Sequence, residues 1–413
     1  MASSKPLLAN DSPPSVNALE RTASEEDALL GNRPQCASHS RSNPGKWREI
    51  GLFAWAVAAT AAVIILGVLA QHRRETERNN DEFFSNPSGK RNLIFMVSDG
   101  MGPASLSLTR SFRQYEGDLE IDDILHLDQH LIGQSRTRSS SSLVTDSAAG
   151  ATAFSCGRKS YNGAISMLPD HTPCGTVLEA AKRAGYLTGL VVTTDITDAT
   201  PACFASHVNM RLEGDSIAAQ EVGEHPLGRV VDLMLGGGRC HFLPNETEGG
   251  CRQDGRDITK LAQEKYGWNY VNNRAGFDSL DYGKKAKLPL LGLFAPTDIP
   301  FELDRAKMND IYPSLDEMAR TAITALSVAT KDSDKGFFLM IEGSRIDHAG
   351  HSNDPAAQVR EVLGYDKAFA SVLKFIEDAD VPTVVVGTSD HETGGLSVSR
   401  RECLADICYF GQC

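Results

Sequence analysis

Four short segments of this chain end an apolar run with acidic or imidazole side chains: Ser98-Asp99-Gly100-Met101-Gly102, Asp195-Ile196-Thr197-Asp198-Ala199-Thr200, the stretch from Glu342 to His351, and Ser389-Asp390-His391-Glu392. Carboxylate and imidazole donors without a four-cysteine set or a CxxC pair suit hydrolytic zinc or magnesium better than structural zinc. Asp347 and His351 stand one helical turn apart, so a helix there sets both on one face and lets them bind one ion. Asp390 and His391 are adjacent and must reach an ion from a loop or a strand end. The stretch TRSSSSLVTDSAAGATA, residues 137–153, adds a hydroxyl nucleophile candidate in Ser147. It follows an acidic residue and precedes Ala148, Ala149 and Gly150, a small-residue run that can open a helix and turn amides toward an anion. One metal ion would lower the pKa of that hydroxyl and a second would shield a leaving oxygen, which is the two-metal arrangement for in-line displacement at phosphorus. Plainer readings stand beside these: Ser147 as one more loop serine, Asp99 as a turn residue, His207 as a structural histidine and Arg211 as a solvated arginine.

The elements that must position these residues are legible around them. Leu93 to Val97, Leu190 to Thr194, Phe337 to Ile341 and Thr383 to Thr388 read as strands. Thr176 to Ala184 reads as a helix stopped by Gly185, Leu315 to Ala329 as a helix, and a longer helix follows Asp354-Pro355 with apolar residues near a 3.6 period. Strands alternating with helices imply an α/β sheet with helices on both faces. In such folds sites form beyond the carboxyl ends of the strands, so the four donor segments are expected to converge despite lying almost 300 residues apart.

The whole chain has 413 residues, 41% of them hydrophobic and 23% charged, enough for a large core and unlike fibrous or disordered sequences. Its net charge of −13 argues against a nucleic-acid partner, which needs a basic stripe. Residues 1–49 are rich in Ser, Pro and Asn and read as a disordered tail; residues 50–70, IGLFAWAVAATAAVIILGVLA, carry no charge and read as one transmembrane helix; residues 71–91 read as a stem linker. Arg33, Arg41, Lys46 and Arg48 on one side balance Arg73, Arg74, Arg78 and Lys90 on the other, so charge leaves the orientation open. Asn245-Glu246-Thr247 is a glycosylation sequon, as is Asn10-Asp11-Ser12 across the span, and Cys240 and Cys251 bracket a loop they could close as a disulfide.

The motifs VSDGMG, TDSAAGATA, ITDATPA, IEGSRIDHAGH and TSDHETGG, spread from about Asn92 to Gly395, resemble the alkaline phosphatase family, its membrane-anchored fungal vacuolar form in particular. The resemblance implies a three-layer α/β sandwich with a central, mostly parallel sheet, occupying residues 92–413. It implies a metal-dependent phosphomonoesterase that takes small phosphorylated substrates through a phosphoseryl intermediate on Ser147, with Arg211 gripping the phosphate and His348 helping to hold it. Two zinc ions and one magnesium are implied. Asp99, Asp390 and His391 match the ligands of the zinc beside the nucleophile, and Asp347 and His351 match those of the water-activating zinc. Thr200 and Glu342 match direct magnesium ligands, with Asp99 shared and Asp198 holding the metal's water. A single-pass type II anchor in the vacuolar membrane, a cytosolic tail, a luminal catalytic body and a homodimer follow from the same resemblance.

One departure stands out. Family members supply a third histidine to the water-activating zinc downstream of DHETGG, whereas His391 is the last histidine here and the residues after Leu396 lack strand alternation. The domain is therefore expected to be incomplete after about residue 396, to lack its C-terminal strands and to expose a strand edge. A catalytically impaired product that keeps the anchor and a partial metal and phosphate site is the alternative expectation. A sulfatase would show a Cys-or-Ser-x-Pro-x-Arg nucleophile segment, in which Ser147 does not lie.

Overall fold

The computed structural model describes residues 44–85 and 89–397. The apolar runs of the body form seven strands: β1 (Asn92–Ser98), β2 (Leu187–Asp195), β3 (Leu233–Gly237), β4 (Asn269–Val271), β5 (Leu290–Leu293), β6 (Phe337–Gly343) and β7 (Thr383–Thr388). They join in the order β4-β5-β3-β2-β6-β1-β7, and every pairing is parallel. All four strands read from the sequence are present. The three that sequence reading missed, β3, β4 and β5, have only five, three and four residues, too short for a periodic signal.

Parallel strands buried on both faces read as continuous apolar runs, and alternate residues then serve opposite layers. Ile94, Val191, Leu339 and Ile341 point into one core with Met318, Ala322 and Leu326 of the helix Leu315–Ala329 and with Val362, Tyr365 and Phe369 of the helix Pro355–Asp378. Leu190, Val192, Phe338 and Met340 point into the other, against Leu178, Ala218, Val222 and Ile258. Three layers result. Each fully buried large aliphatic side chain contributes about 1.5–3 kcal/mol to holding them together.

Local signals set where the helices begin. Thr176 with Glu179 and Ser314 with Glu317 form capping boxes, and Asp354 caps the helix opened by Pro355. Two disulfides staple the body, the expected Cys240–Cys251 and a second, Cys156–Cys174, that sequence reading did not single out. Strand β7 pairs only with β1 among the described residues, and Val384 and Val386 stand 36% and 44% exposed along it. The segment after residue 397, where missing strands are expected, lies outside the described residues, as does the tail before residue 44.

The N-terminal helix runs from Pro44 to Ser85. Within it, Arg48–Gln71 is a 24-residue apolar stretch, long enough to cross a membrane, with its side chains exposed. The helix continues past residue 71, where a linker was expected, because Arg73, Arg74, Glu75, Glu77 and Arg78 are good helix formers with no glycine or proline among them.

Candidate active site

Strand order brings the donor segments together. β2, β6, β1 and β7 are consecutive neighbours in the sheet, so the residues leaving their carboxyl ends share one edge. Asp99 leaves β1, Asp198 and Thr200 follow β2, Glu342 closes β6, and Asp390 and His391 follow β7. Gly100 lets the chain turn sharply here: its φ is +69°, and a Cβ on it would lie 2.5 Å from both Asp347 Oδ1 and Thr393 Oγ1.

Ser147 is the first residue of the helix Ser147–Cys156, capped by Asp146, whose Oδ1 accepts from Ala149 N at 2.9 Å. The serine is 4% exposed. Its Oγ donates toward Asp99 Oδ1 at 3.3 Å and lies 3.3 Å from His391 Nε2. Asp390 Oδ1 accepts from Gly100 N and His391 N at 3.2 and 2.8 Å, while Asp390 Oδ2, wholly buried, makes no well-formed hydrogen bond among the described residues. His391 Nδ1 faces the Glu392 carbonyl at 3.2 Å and donates there, while Nε2 lies 3.6 and 3.5 Å from Asp99 and Asp390. Three potential ligand atoms thus converge within 4.8 Å of one another.

The electrostatics follow from crowding. Burial, then Asp390, Asp347 and Glu342, hold the Asp99 carboxyl well above its ordinary range. Asp390 is raised by burial, and burial pushes Glu342 up to about 8 although Ser344 Oγ donates to its Oε2 at 2.7 Å. Thr200 Oγ1, beside Glu342, is buried without a well-formed hydrogen bond among the described residues. Buried carboxylates that repel one another, two oxygens without well-formed bonds and an imidazole nitrogen beside them fit cation binding by chemistry alone.

The other expected donors surround this cluster. Asp347 and His351 share the helix Arg345–His351, Oδ2 to Nε2 3.3 Å; Asp347 is buried, whereas the His351 side chain is 69% exposed. Asp347 Oδ1 accepts from Thr393 Oγ1 at 2.5 Å. Arg211 Nη2 donates to Asp198 Oδ1 at 2.8 Å and Nη1 lies 3.5 Å from Asp146 Oδ2, so its fork is held from two sides instead of solvated. His348 Nδ1 lies 3.1 Å from Asp298 Oδ2 and Nε2 3.8 Å from Asp198 Oδ2; burial pulls its pKa down, but Asp298 leaves it raised. Sequence reading missed Asp146, Asp298 and Thr393 as supports, although Asp146 and Thr393 lie inside motifs it had singled out.

Among the described residues, two other groups offer three donors. Cys240 and Cys251 flank His241, but their sulfurs are joined in a disulfide and cannot serve as thiolate ligands. The second is Glu179 with His207 and His225.

A serine at a helix N-terminus, a clamped arginine and carboxylate–imidazole donor sets at the carboxyl edge of a parallel sheet define the architecture of a metal-dependent α/β hydrolase. The chain belongs to the alkaline phosphatase family, whose sequence model matches residues 90–408. It is 63% identical over 323 residues to the repressible alkaline phosphatase of Saccharomyces cerevisiae, an alignment covering 76% of this chain and 56% of that protein. It is 49% identical over 383 residues to the alkaline phosphatase of Schizosaccharomyces pombe, covering 92% of this chain and 68% of that one. Among solved structures, Thermus thermophilus alkaline phosphatase superposes with a TM-score of 0.65 at 33% identity, over 76% of this chain and 63% of that one.

Proposed function

We propose that this chain carries a metal-dependent phosphomonoesterase site that releases an alcohol and inorganic phosphate through a phosphoseryl intermediate on Ser147. The observation that carries the reading is Ser147 Oγ at 3.3 Å from both Asp99 Oδ1 and His391 Nε2, at the N-terminus of its helix. Asp99, Asp390 and His391 would hold one zinc, Asp347 and His351 another, and Asp99, Thr200 and Glu342, with Asp198 through water, one magnesium. Bound there, such ions would neutralise the carboxylates, acidify the serine hydroxyl and stabilise charge on the phosphoryl oxygens.

The chain's own residues do the rest. Asp99 orients the Ser147 hydroxyl; its oxygen loses its proton to solvent and attacks phosphorus while the bond to the leaving alkoxide breaks, and the alkoxide takes a proton from water. The helix N-terminus behind Ser147 favours the dianion. Arg211, pre-oriented by Asp198 and Asp146, binds two phosphoryl oxygens through its planar fork. His348, anchored by Asp298 and 3.8 Å from Asp198, is a second basic group for substrate. Water then cleaves the seryl ester and frees phosphate.

The same reading includes a membrane-anchored protein: residues 1–49 as a cytosolic tail, 50–70 as the single span, 71–91 as a stem and the catalytic body on the luminal side of the vacuolar membrane. The apolar stretch Arg48–Gln71, the two disulfides and the exposed Asn245, a glycosylation candidate in the loop closed by Cys240 and Cys251, support it. A homodimer belongs to the reading as well. Hydrolysis of p-nitrophenyl phosphate by the zinc-loaded chain, beside Ser147→Ala, tests the core of the proposal: turnover that survives the substitution rules out the serine, and absent wild-type turnover rules out an active site in this chain.

A further inference from the structure

His207 lies four residues before Arg211, on a strip that pairs with residues 163–166. Ile165 N donates to Val208 O at 3.1 Å, Val208 N to Ile165 O at 3.2 Å, and Arg211 N to Gly163 O at 2.8 Å. Side chains hold both ends of this strip. At one end Arg211 meets Asp198 and Asp146. At the other, His207 Nδ1 lies 3.0 Å from the Ser166 carbonyl and Nε2 lies 2.8 Å from Glu179 Oε1. A carbonyl and a carboxylate only accept, so both ring nitrogens donate and the ring is an imidazolium.

The surroundings agree with that charge. Glu179 is buried and its Oε2 accepts from Thr176 N at 2.8 Å, which ties the pair to the helix Val177–Arg183. Burial pulls the His207 pKa down, but the bond to Glu179 prevails and leaves it raised. His225 is the other titratable group facing the pair. Its Nδ1 accepts from Leu227 N at 3.0 Å, so Nε2 carries a proton and points it obliquely at Glu179 Oε1, 3.1 Å away, with no lone pair left for an ion. Neutral Gln220 completes the hold: its Oε1 accepts from His207 N at 2.8 Å and its Nε2 donates to His207 O at 3.1 Å.

We propose that His207 is a positioning residue for Arg211: bridging Glu179 and the Ser166 carbonyl, it fixes the strip on which the guanidinium enters the phosphate site. The inference rests on the reading of Arg211 as the phosphate-gripping group. An arginine loses much rotamer and backbone freedom when it grips an anion, and a strip already clamped at both ends has lost part of it beforehand. Without the clamp that cost falls on phosphate binding.

The test is inorganic phosphate binding by calorimetry to the zinc-loaded full chain in detergent, for wild type, His207→Gln, Arg211→Ala and the double variant. His207→Gln should weaken phosphate about tenfold with Arg211 present and less than about twofold without it, a coupling of at least ~1 kcal/mol. Equal loss in both backgrounds, or none in either, overturns the proposal. Glu179→Gln should repeat the pattern and serves if His207→Gln does not fold. Hydrogen exchange of residues 206–211 should quicken in the single variants while that of β1 and β6 stays unchanged; unchanged exchange in the strip overturns the proposal whether or not phosphate binds. A wild type that binds no phosphate sinks the phosphatase reading instead, and the exchange measurement then decides this one alone.

Discussion

Two buried clusters in this protein use the same residue types and reach opposite electrostatic states. Around Glu179, the His207 N–H and a backbone amide each meet one carboxylate oxygen, and His225 Nε2 lies 3.1 Å away without a well-formed hydrogen bond among the described residues. Around Asp99, carboxylates face one another and Asp390 Oδ2 is left over. In the first cluster both carboxylate oxygens of Glu179 find donors within the protein. In the second, Asp390 Oδ2 finds none among the described residues. What separates the two carboxylate–histidine groups here is whether each carboxylate oxygen finds a donor, and a count of potential ligands does not reveal it.

The sharpest way to break this contrast is at the reactive cluster, where Ser147→Ala should lower p-nitrophenyl phosphate turnover at least about 10³-fold while leaving the unfolding transition within about 0.5 kcal/mol. Next is the matched cluster. Glu179→Ala leaves the His207 imidazolium buried without its counter-charge and should cost about 3–5 kcal/mol in denaturant unfolding, with or without zinc. Smaller, but with a sign that distinguishes the two clusters, is Asp99→Asn. In chelator it should stabilise the fold at neutral pH by about 1–2 kcal/mol by removing crowded charge, and with zinc present it should destabilise by losing a ligand. Stabilisation in neither condition would mean that the carboxylates are not frustrated.

The smallest effect is the pH dependence of the Glu179–His207 pair. Glu179 is depressed: burial opposes this, but hydrogen bonds from His207, His225 and Thr176 N outweigh it. Its contribution is therefore full above the ordinary carboxyl value of 4.5 and fades as pH falls through the depressed one. His207 is raised, so its contribution is full below 6.5 and fades as pH rises through the raised value. The stability difference between wild type and His207→Gln should peak between pH 4.5 and 6.5 and shrink on the alkaline side. A flat difference from pH 5 to 9 would mean that His207 is neutral throughout.

Much of the scaffold was legible beforehand because it rests on local rules. The helix Leu315–Ala329 announces itself by Ser314 and Glu317 at its start and an apolar stripe along it, and β7 by the uninterrupted run from Thr383. β3 and β5 were not legible, since strands of four or five residues containing glycine acquire their identity from β2 and from each other. At the site, Ser147, Asp347 with His351, and Asp390 with His391 could be read from type and spacing. Asp298 and the Glu179–His207 bridge could not, because each pairs groups 28 to 50 residues apart whose approach depends on packing.

By itself, then, the sequence determined which chemistries are possible: hydroxyl, guanidinium, carboxylate and imidazole groups on short segments after apolar runs, with an uncharged stretch near the start. Tertiary structure decided which of them act together. Strand order made β2, β6, β1 and β7 neighbours, burial set like charges against one another at Asp99, Asp390 and Glu342, and packing set a carbonyl and a carboxylate against the two ring nitrogens of His207. These outcomes depend on distances of a few ångströms across a low-dielectric interior, a quantity that linear spacing does not encode.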